Sequence, residues 1–374
     1  MIRYAWGIKN DTTGVTYTSS VLSFSFTNGR QGYLDTYNAG AIVLTIKNQA
    51  NESAGFNFGD EVQLLEPTGD LAYSFYVVEV TYSDYPGNTG MSTASIICQD
   101  ALGLMGRLQM NDFAITADDT QNQFTQVTSV DGFIAARPIL ITSGATGSLC
   151  SAGTYSGSVL NFWNLLINTE RGLLGVSEGA VIFNTRSGIP TGLSPVSFAR
   201  TAEALKIGYQ SFERINLGLD FMNQVQTEPE GLAVQQATNP TSVATYGAQG
   251  FTVSTVDATT SQALDLAQWL ASTLSDIDKQ RFVVTFTDVM QSVTTTRFAD
   301  FLLDLSNHSP IQLAYRVPGD ASDTVVNVIA EGINVSATPS ETTITAFLTP
   351  LTYYDYFTLN SAVLGVLDSS RVGF

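Results

Sequence analysis

A single histidine is the chain's whole supply of imidazole, and it stands at His308 in the turn-like run Asn307-His308-Ser309-Pro310. Catalysis by a Ser-His-Asp or Cys-His set needs such a base held beside the nucleophile; this run reads instead as a histidine in a surface loop. Gly175-Val176-Ser177-Glu178-Gly179 has the spacing of a nucleophile elbow, a motif that requires a strand before the serine and a helix after it. Strand-forming residues follow Ser177, so the run predicts a hairpin turn. Zinc needs clustered Cys and His, and a calcium loop needs spaced acids around a glycine. Neither Asp118-Asp119 nor Asp276-Ile277-Asp278-Lys279 has that pattern, and both read as solvent-facing acids. A glycosidase asks only for two carboxylates placed by the fold, and 34 acidic residues offer many pairs, so a polysaccharide-degrading enzyme stands as the weakest of three readings. No catalytic, cofactor-binding or metal-ligating residue is assigned, and no cofactor is expected.

Cys98 lies in the apolar run Ser95-Ile96-Ile97-Cys98 and Cys150 in a Gly/Ser loop, settings that suit reduced thiols better than a bridge. The 34 acids face 16 bases, for a formal charge of -18 and a pI near 4.2. Such a surface repels phosphate, which excludes nucleic-acid binding by counterion release. There is also no phosphate-cradling glycine loop, helical DNA reader or basic stripe. The same sign serves solubility alone, or a channel wall along which DNA slides without sticking. Charged residues make up 13% of the chain, about half the usual share of roughly 25%, and Ser, Thr, Asn, Gln and Gly take their place. Mean hydropathy is +0.11, yet no apolar run approaches the roughly 18 residues of a membrane span. Some apolar surface is therefore expected to be covered by other subunits. The opening Met1-Ile2-Arg3-Tyr4-Ala5-Trp6-Gly7 lacks a signal-peptide core, so retention in the producing cell is expected. On that basis the sequons Asn51-Glu52-Ser53, Asn307-His308-Ser309 and Asn334-Val335-Ser336 are chance matches.

A chain of 374 residues predicts about two to four domains. Alternation in Val21-Leu22-Ser23-Phe24-Ser25-Phe26 and in 42–47 marks half-buried strands, with Ile42, Leu44 and Ile46 on one face. Further strands are predicted at 61–66, 73–82 and 92–99, divided by Pro67-Thr68-Gly69-Asp70 and Pro86-Gly87-Asn88-Thr89-Gly90. A short helical turn at 101–108 closes this unit. From 109 to 157 charge nearly vanishes, which predicts irregular loops and short strands, with a partner or glycan facing them. Ser158 should cap a helix at 159–170 with Leu160, Trp163, Leu166 and Ile167 on its buried face, stopped by Gly172. A hairpin follows, with strands at 173–176 and 180–185. A long polar connection, 228–250, then leads to a helix at 261–274 that buries Ala263, Leu264, Ala267 and Leu270. Strands resume at 281–287, 311–316, 324–333 and 342–348, divided by turns such as Pro318-Gly319-Asp320. No short repeat points to a solenoid or propeller.

The run Ser23-Phe24-Ser25-Phe26-Thr27-Asn28-Gly29-Arg30 through Leu34-Asp35 and Ala39-Gly40, followed by a strand ending in Asn48, resembles the opening of siphophage minor tail proteins, the tail hub or baseplate-hub-like family. The likeness continues through Gln99-Asp100-Ala101-Leu102-Gly103-Leu104-Met105, the helix and hairpin at 159–185, Asn223-Gln224-Val225, 242–247, the 263–274 helix and Val328-Ile329-Ala330-Glu331-Gly332-Ile333. It ends in the closing segment 356–368. The resemblance implies a mainly β fold with an α/β insertion: two tube-like β-barrel domains flanking a helix-plus-hairpin middle region. The expected units are an N-terminal barrel at 1–108, an insertion at 109–227, a second barrel at 228–355 and an extension at 356–374. It further implies a trimer whose two barrels per subunit make a pseudo-sixfold ring, with a distal tail or tail-tube ring, a tape measure protein and tail fibre or tip proteins as partners. Genomic DNA would pass through without specific binding, along a lumen that part of the acidic charge lines. The place implied is the tail tip of a virion. After the second β unit too little chain remains for a needle, lysozyme or fibre domain, and the aromatic run Tyr353-Tyr354-Asp355-Tyr356-Phe357 reads as an edge strand or as a partner anchor. The second reading is a distal tail or receptor-binding adaptor.

Overall fold

The computed structural model describes residues 6–17, 20–48, 54–65, 69–85, 87, 89–133, 139–143, 147–190, 192–216, 220–276, 279–289, 291 and 294–354. Asn51-Glu52-Ser53, Pro67-Thr68, Asp278 and the closing segment 356–374 lie outside the described residues.

The first unit is built from β1 (Gly7–Asn10), β2 (Val15–Thr16), β3 (Val21–Gly29), β4 (Ala41–Lys47), β5 (Glu61–Leu65), β6 (Leu71–Ser83) and β7 (Thr93–Gln99). Their alternation does what period-2 patterning requires: Phe24 and Phe26, then Ile42, Leu44 and Ile46, then Ala94, Ile96 and Cys98 are buried, while Ser25, Val43 and Lys47 face out. The helix α1 (Ala101–Arg107) follows, capped by the Asp100 carboxylate.

The middle of the chain contains β8 (Gln109–Ile115), β9 (Asp118–Asp119), α2 (Thr120–Gln126), β10 (Ile139–Ser143), β11 (Leu149–Cys150), β12 (Gly153–Ser158), α3 (Val159–Glu170), β13 (Leu173–Ser177) and β14 (Ala180–Asn184). Ser158 caps α3 as predicted, its hydroxyl accepting from the Asn161 amide at 3.2 Å. The left-handed residue that ends α3 is Arg171, at φ 52°, rather than Gly172. In the β13–β14 hairpin Glu178 and Gly179 both take positive φ, the conformation a two-residue hairpin turn needs.

The last part holds β15 (Ser197–Ala199), β16 (Lys206–Gly208), β17 (Ser211–Asn216), β18 (Gln224–Pro229), β19 (Gln235–Thr238), α4 (Pro240–Tyr246), β20 (Gly250–Thr255), α5 (Thr260–Thr273), β21 (Gln280–Thr287), α6 (Thr295–Ser306), β22 (Ile311–Tyr315), β23 (Thr324–Ala337) and β24 (Thr342–Pro350). The predicted polar connection is thus structured: β19 and β20 flank β18 in a small sheet, and α5 covers one face of it. Its glutamine-rich strand alternates between half-buried and exposed residues and carries no apolar signature of a strand. Leu264 is only half buried; Leu266 and Trp269 join Ala263, Ala267 and Leu270 in the core instead. The loop region 109–157 likewise contains a helix, α2, whose sequence Thr-Gln-Asn-Gln-Phe-Thr-Gln offers one large apolar residue.

Among the described residues, fourteen strands form one large curled sheet. Its first half runs from β2 to β3, and its second contains β15 to β17 and β21 to β24. Tyr209 and Gln210 are adjacent in the chain, yet the Tyr209 amide donates to Ala199 on β15 (3.2 Å) and the Gln210 amide to Thr285 on β21 (2.8 Å). The link from β16 to β17 therefore passes directly from one outer strand of the second half to the other. One apolar cluster joins the two halves, from Phe24, Ile42 and Ile96 through Phe198, Phe286, Val335 and Ile344, with Phe298, Phe301, Leu302 and Leu305 of α6 packed into it.

The halves join at β3 and β23, an antiparallel pair from Gly29↔Gly332 to Phe24↔Ala337. On its other edge β23 pairs with β24, and there the register slips between Ala330 and Gly332, leaving Glu331 as the extra residue of a bulge. The edge that takes β3 at 332–337 takes β22 at 324–328, so the bulge marks where β23 changes partner. Only glycine fits this crossing. A Cβ on Gly332 would lie 2.6 Å from the carbonyl oxygens of Arg30 and Asn28, and one on Gly29, at φ 82°, would lie 2.2 Å from Glu331 O. Gly332→Ala is expected to cost about 1–3 kcal/mol through overpacking against backbone, read as a lowered urea midpoint. An unshifted midpoint would show that the crossing can relax.

Candidate functional site

The bulge aims the Glu331 side chain inward, as bulges commonly re-aim a residue. Arg30, the first residue past β3, meets it: Nε donates to Glu331 Oε2 at 2.8 Å, and both side chains are 1% exposed. The backbone closes the same contact, with the Arg30 amide donating to Glu331 O at 2.9 Å. Arg30 Nη1 donates to Asp35 O at 3.2 Å, Nη2 lies 3.4 Å from the Tyr354 hydroxyl, and that hydroxyl donates to Glu331 Oε1. The guanidinium also lies over the Tyr37 ring, 4.6 Å from its centroid. Burial alone would pull Arg30 down, but Glu331, Tyr37 and Tyr354 raise it well above its ordinary value. Burial and then Glu331 raise the Tyr354 hydroxyl well above its own. The site is thus a sealed ion pair with phenol partners, joining residues 301 positions apart.

Two further contacts tie this junction to the middle of the chain, and a third braces the first unit beside it. Asn28 Nδ2 donates to Val176 O on β13 at 2.8 Å. Asn164 on α3 holds both backbone groups of Tyr37, at 2.9 and 3.0 Å. Asp100 accepts from Gly40 at 2.9 Å and from Gly103 at 3.0 Å; burial pushes its carboxyl up to about 7, against the pull of these amides.

The residues that sequence reading tested for chemistry sit elsewhere or are sealed. His308 is not in a surface loop: it is 3% exposed, at φ 57° past the end of α6, because the apolar face of that helix drags its C-terminus into the core. Its Nδ1 lies 3.4 Å from Asn184 Nδ2, and a Cβ on Gly175 would touch its ring. Ser177 ends β13 at 2% exposure, in a hairpin rather than an elbow. Asp118 and Asp119 are half buried rather than solvated, because Asp119 caps α2 and Asp118 accepts from Asn122. Asp276 is exposed. Cys98 and Cys150 are free and buried, Cys150 in a short strand rather than a loop, and burial pushes the Cys98 thiol up to about 12. Among the described residues no three His, Cys, Asp or Glu gather as metal ligands, and no helix is long and apolar enough to cross a membrane.

Burial lowers the His308 imidazole to about 4, with Glu331 opposing. Its unfolded value is about 6.5, so the native state binds the proton less tightly than the unfolded one. The stability this residue contributes is complete above pH about 6.5 and is lost as pH falls toward 4. Measured against His308→Gln, the wild type should lose roughly 2–3 kcal/mol between neutral pH and pH about 4. A constant difference across that window would show that the fold binds the His308 proton as tightly as the unfolded chain does. Asp100 and Asp257, raised by burial to about 7 and 6, act oppositely: they lose stability as pH rises through those values, equally in both proteins.

No protein-family model matches the chain, and no curated relative matches it. Solved structures do. The 43 kDa tail protein of prophage MuSo2 from Shewanella oneidensis superimposes with a TM-score of 0.59 at 12% identity, covering 94% of this chain and 98% of that one. A tail protein from Neisseria meningitidis gives 0.60 at 10% identity, with 93% and 97% covered. The prophage tail protein gp18 from Listeria monocytogenes gives 0.51 at 9% identity, with 92% and 94% covered. Over more than nine-tenths of its length the chain therefore has the fold of these tail proteins, in keeping with the tail-hub resemblance of its ordered motifs.

Proposed function

We propose that the protein is a non-enzymatic hub of a phage tail, a ring-forming subunit at the tail tip that joins the tube to tip or fibre proteins and lets DNA pass. One observation carries this reading: a single chain holds one curled fourteen-stranded sheet, among the described residues, whose two seven-stranded halves join edge to edge at β3 and β23. Two such halves per subunit let three copies present six similar units to a hexameric tail ring, the closure that cyclic symmetry favours. The proposed units are barrels at 1–108 and 228–355 around the insertion 109–227, with the second barrel also drawing β15 to β17 from within 109–227 and leaving β18 to β20 as a sheet of their own; tail-tube or distal tail, tape measure and fibre proteins are the proposed partners. The end-to-end likeness to prophage tail proteins supports it. At -18 per chain, a ring of this protein has little attraction for DNA phosphates, which suits passage without binding.

The test is assembly. Mass photometry of the purified chain is expected to show three times 40.1 kDa, and negative staining an annulus with an open centre. A stable monomer at micromolar concentration, or a filled particle, would sink the reading. A hexamer that binds host cells would favour a distal tail or receptor-binding adaptor instead. Clearing of host polysaccharide would point to an enzyme.

A further inference from the structure

A cleft of about 570 Å³ runs between α3, β20 and the loop that follows β3. One wall is Asn161, Leu165 and Asn168 of α3, at the spacing of one helix face. The opposite wall is Phe251 to Ser254, four consecutive residues of β20. Successive strand side chains point to opposite faces, so a cleft lined by four in a row meets the strand at its edge. Among the described residues β20 pairs only with β18, on its other side, and the edge toward the cleft is open. An open edge of this kind is a template for one more strand. No lining residue carries a charge, in a protein whose net charge is -18, so a strand seated there should be uncharged and mix apolar with small polar residues.

The chain itself contains such a segment. Residues 356–367, Tyr-Phe-Thr-Leu-Asn-Ser-Ala-Val-Leu-Gly-Val-Leu, have no ionisable acid or base apart from the tyrosine. The described chain stops at Tyr354, whose ring lies 5.3 Å from that of Tyr33, and the next residue, Leu34, lines the cleft. Seven residues, from Tyr354 to Ser361, reach about 23 Å when extended, ample for a site that begins one residue away. We propose that residues 356–367 dock in this cleft of their own chain as an added strand on the open edge of β20. The proposal stands apart from the hub reading and is tested separately from it.

The full chain carries the test, because Asn161 is exposed and the native thiols Cys98 and Cys150 are buried. Asn161→Cys is combined in turn with Thr358→Cys, Ser361→Cys or Val366→Cys, oxidised mildly and scored on non-reducing gels. The best pair is expected to close a bond within one chain about tenfold faster than the control pair Thr81→Cys with Ser361→Cys, Thr81 being exposed on β6. As a second readout, Val363→Lys should speed amide exchange at Phe251 to Ser254 by about tenfold with the melting temperature unchanged, since an unpaired edge opens at little cost. Rates equal to the control for all three pairs, a bond that joins two copies, or unaltered exchange in Val363→Lys would each overturn the proposal.

Discussion

Replacing Arg30 with methionine is expected to lower the unfolding free energy by about 3–5 kcal/mol, because it strands the Glu331 carboxylate in a site 1% exposed to water. The remaining contacts of that carboxylate, above all the Tyr354 hydroxyl, cannot replace a guanidinium. Arg30→Met combined with Glu331→Met is expected to recover most of the loss, since exchanging a whole buried ion pair for apolar side chains is often neutral or stabilising. Urea unfolding of the four proteins of this double-mutant cycle measures the coupling. Equal losses in the single and double variants would mean that the stranded carboxylate is not the source of the loss, whereas no loss in any variant would mean that the junction is held by backbone pairing alone. A further sign separates a junction role from a merely local one: the single variant should loosen the β3–β23 pair, so amides from Phe24 to Gly29 should exchange faster than those of β4.

Trp163→Ala should be as damaging, at about 3–5 kcal/mol. The indole is fully buried on α3 and stacks on Phe124 at 4.4 Å, which in turn stacks on Phe183 of the hairpin at 5.0 Å. Its Nε1 donates to Phe124 O at 3.2 Å, so truncation opens a cavity and also leaves a buried carbonyl without its donor. Trp163→Phe keeps most of the stack and should cost clearly less. Thermal unfolding followed by near-ultraviolet circular dichroism decides; a loss under about 1 kcal/mol for the alanine variant would show that the middle region refills the hole.

Local signals in the sequence were reliable where periodicity and a cap agreed. Ser158 and the apolar stripe of α3 define that helix to the residue, and Ser177-Glu178-Gly179 marks the hairpin. The same signals stand at α6, where Thr294 caps a helix with Phe298, Phe301, Leu302 and Leu305 at i, i+3, i+4 and i+7. That stripe also carries His308, two residues past the helix end, out of the solvent. The small sheet of β18, β19 and β20 was hidden for another reason: its strands are short and polar, and only pairing makes them strands. The junction could not be derived from local pattern at all, since nothing near Arg30 reveals a carboxylate 301 residues away. Yet the motifs behind the tail-protein resemblance include the residues that close it, Gly29-Arg30 and Glu331-Gly332, and the Gly40–Asp100 pair that braces the start of β4. Gly40, for example, has no room for a Cβ, which would lie 2.4 Å from Asp100 Oδ2.

The pairing of β3 with β23 also sets a timetable for synthesis. Residues 332–337, which complete the edge of Phe24 to Gly29, leave the ribosome only after some 300 further residues, on the order of 15–60 s at usual elongation rates. For that interval the nascent first half carries an unsatisfied hydrogen-bonding edge beside its aromatic interior, the surface on which two ribosome-bound copies would stick to each other. Expression yield should therefore depend on how fast residues 30–337 are translated, and on chaperones that shield an edge rather than a pocket.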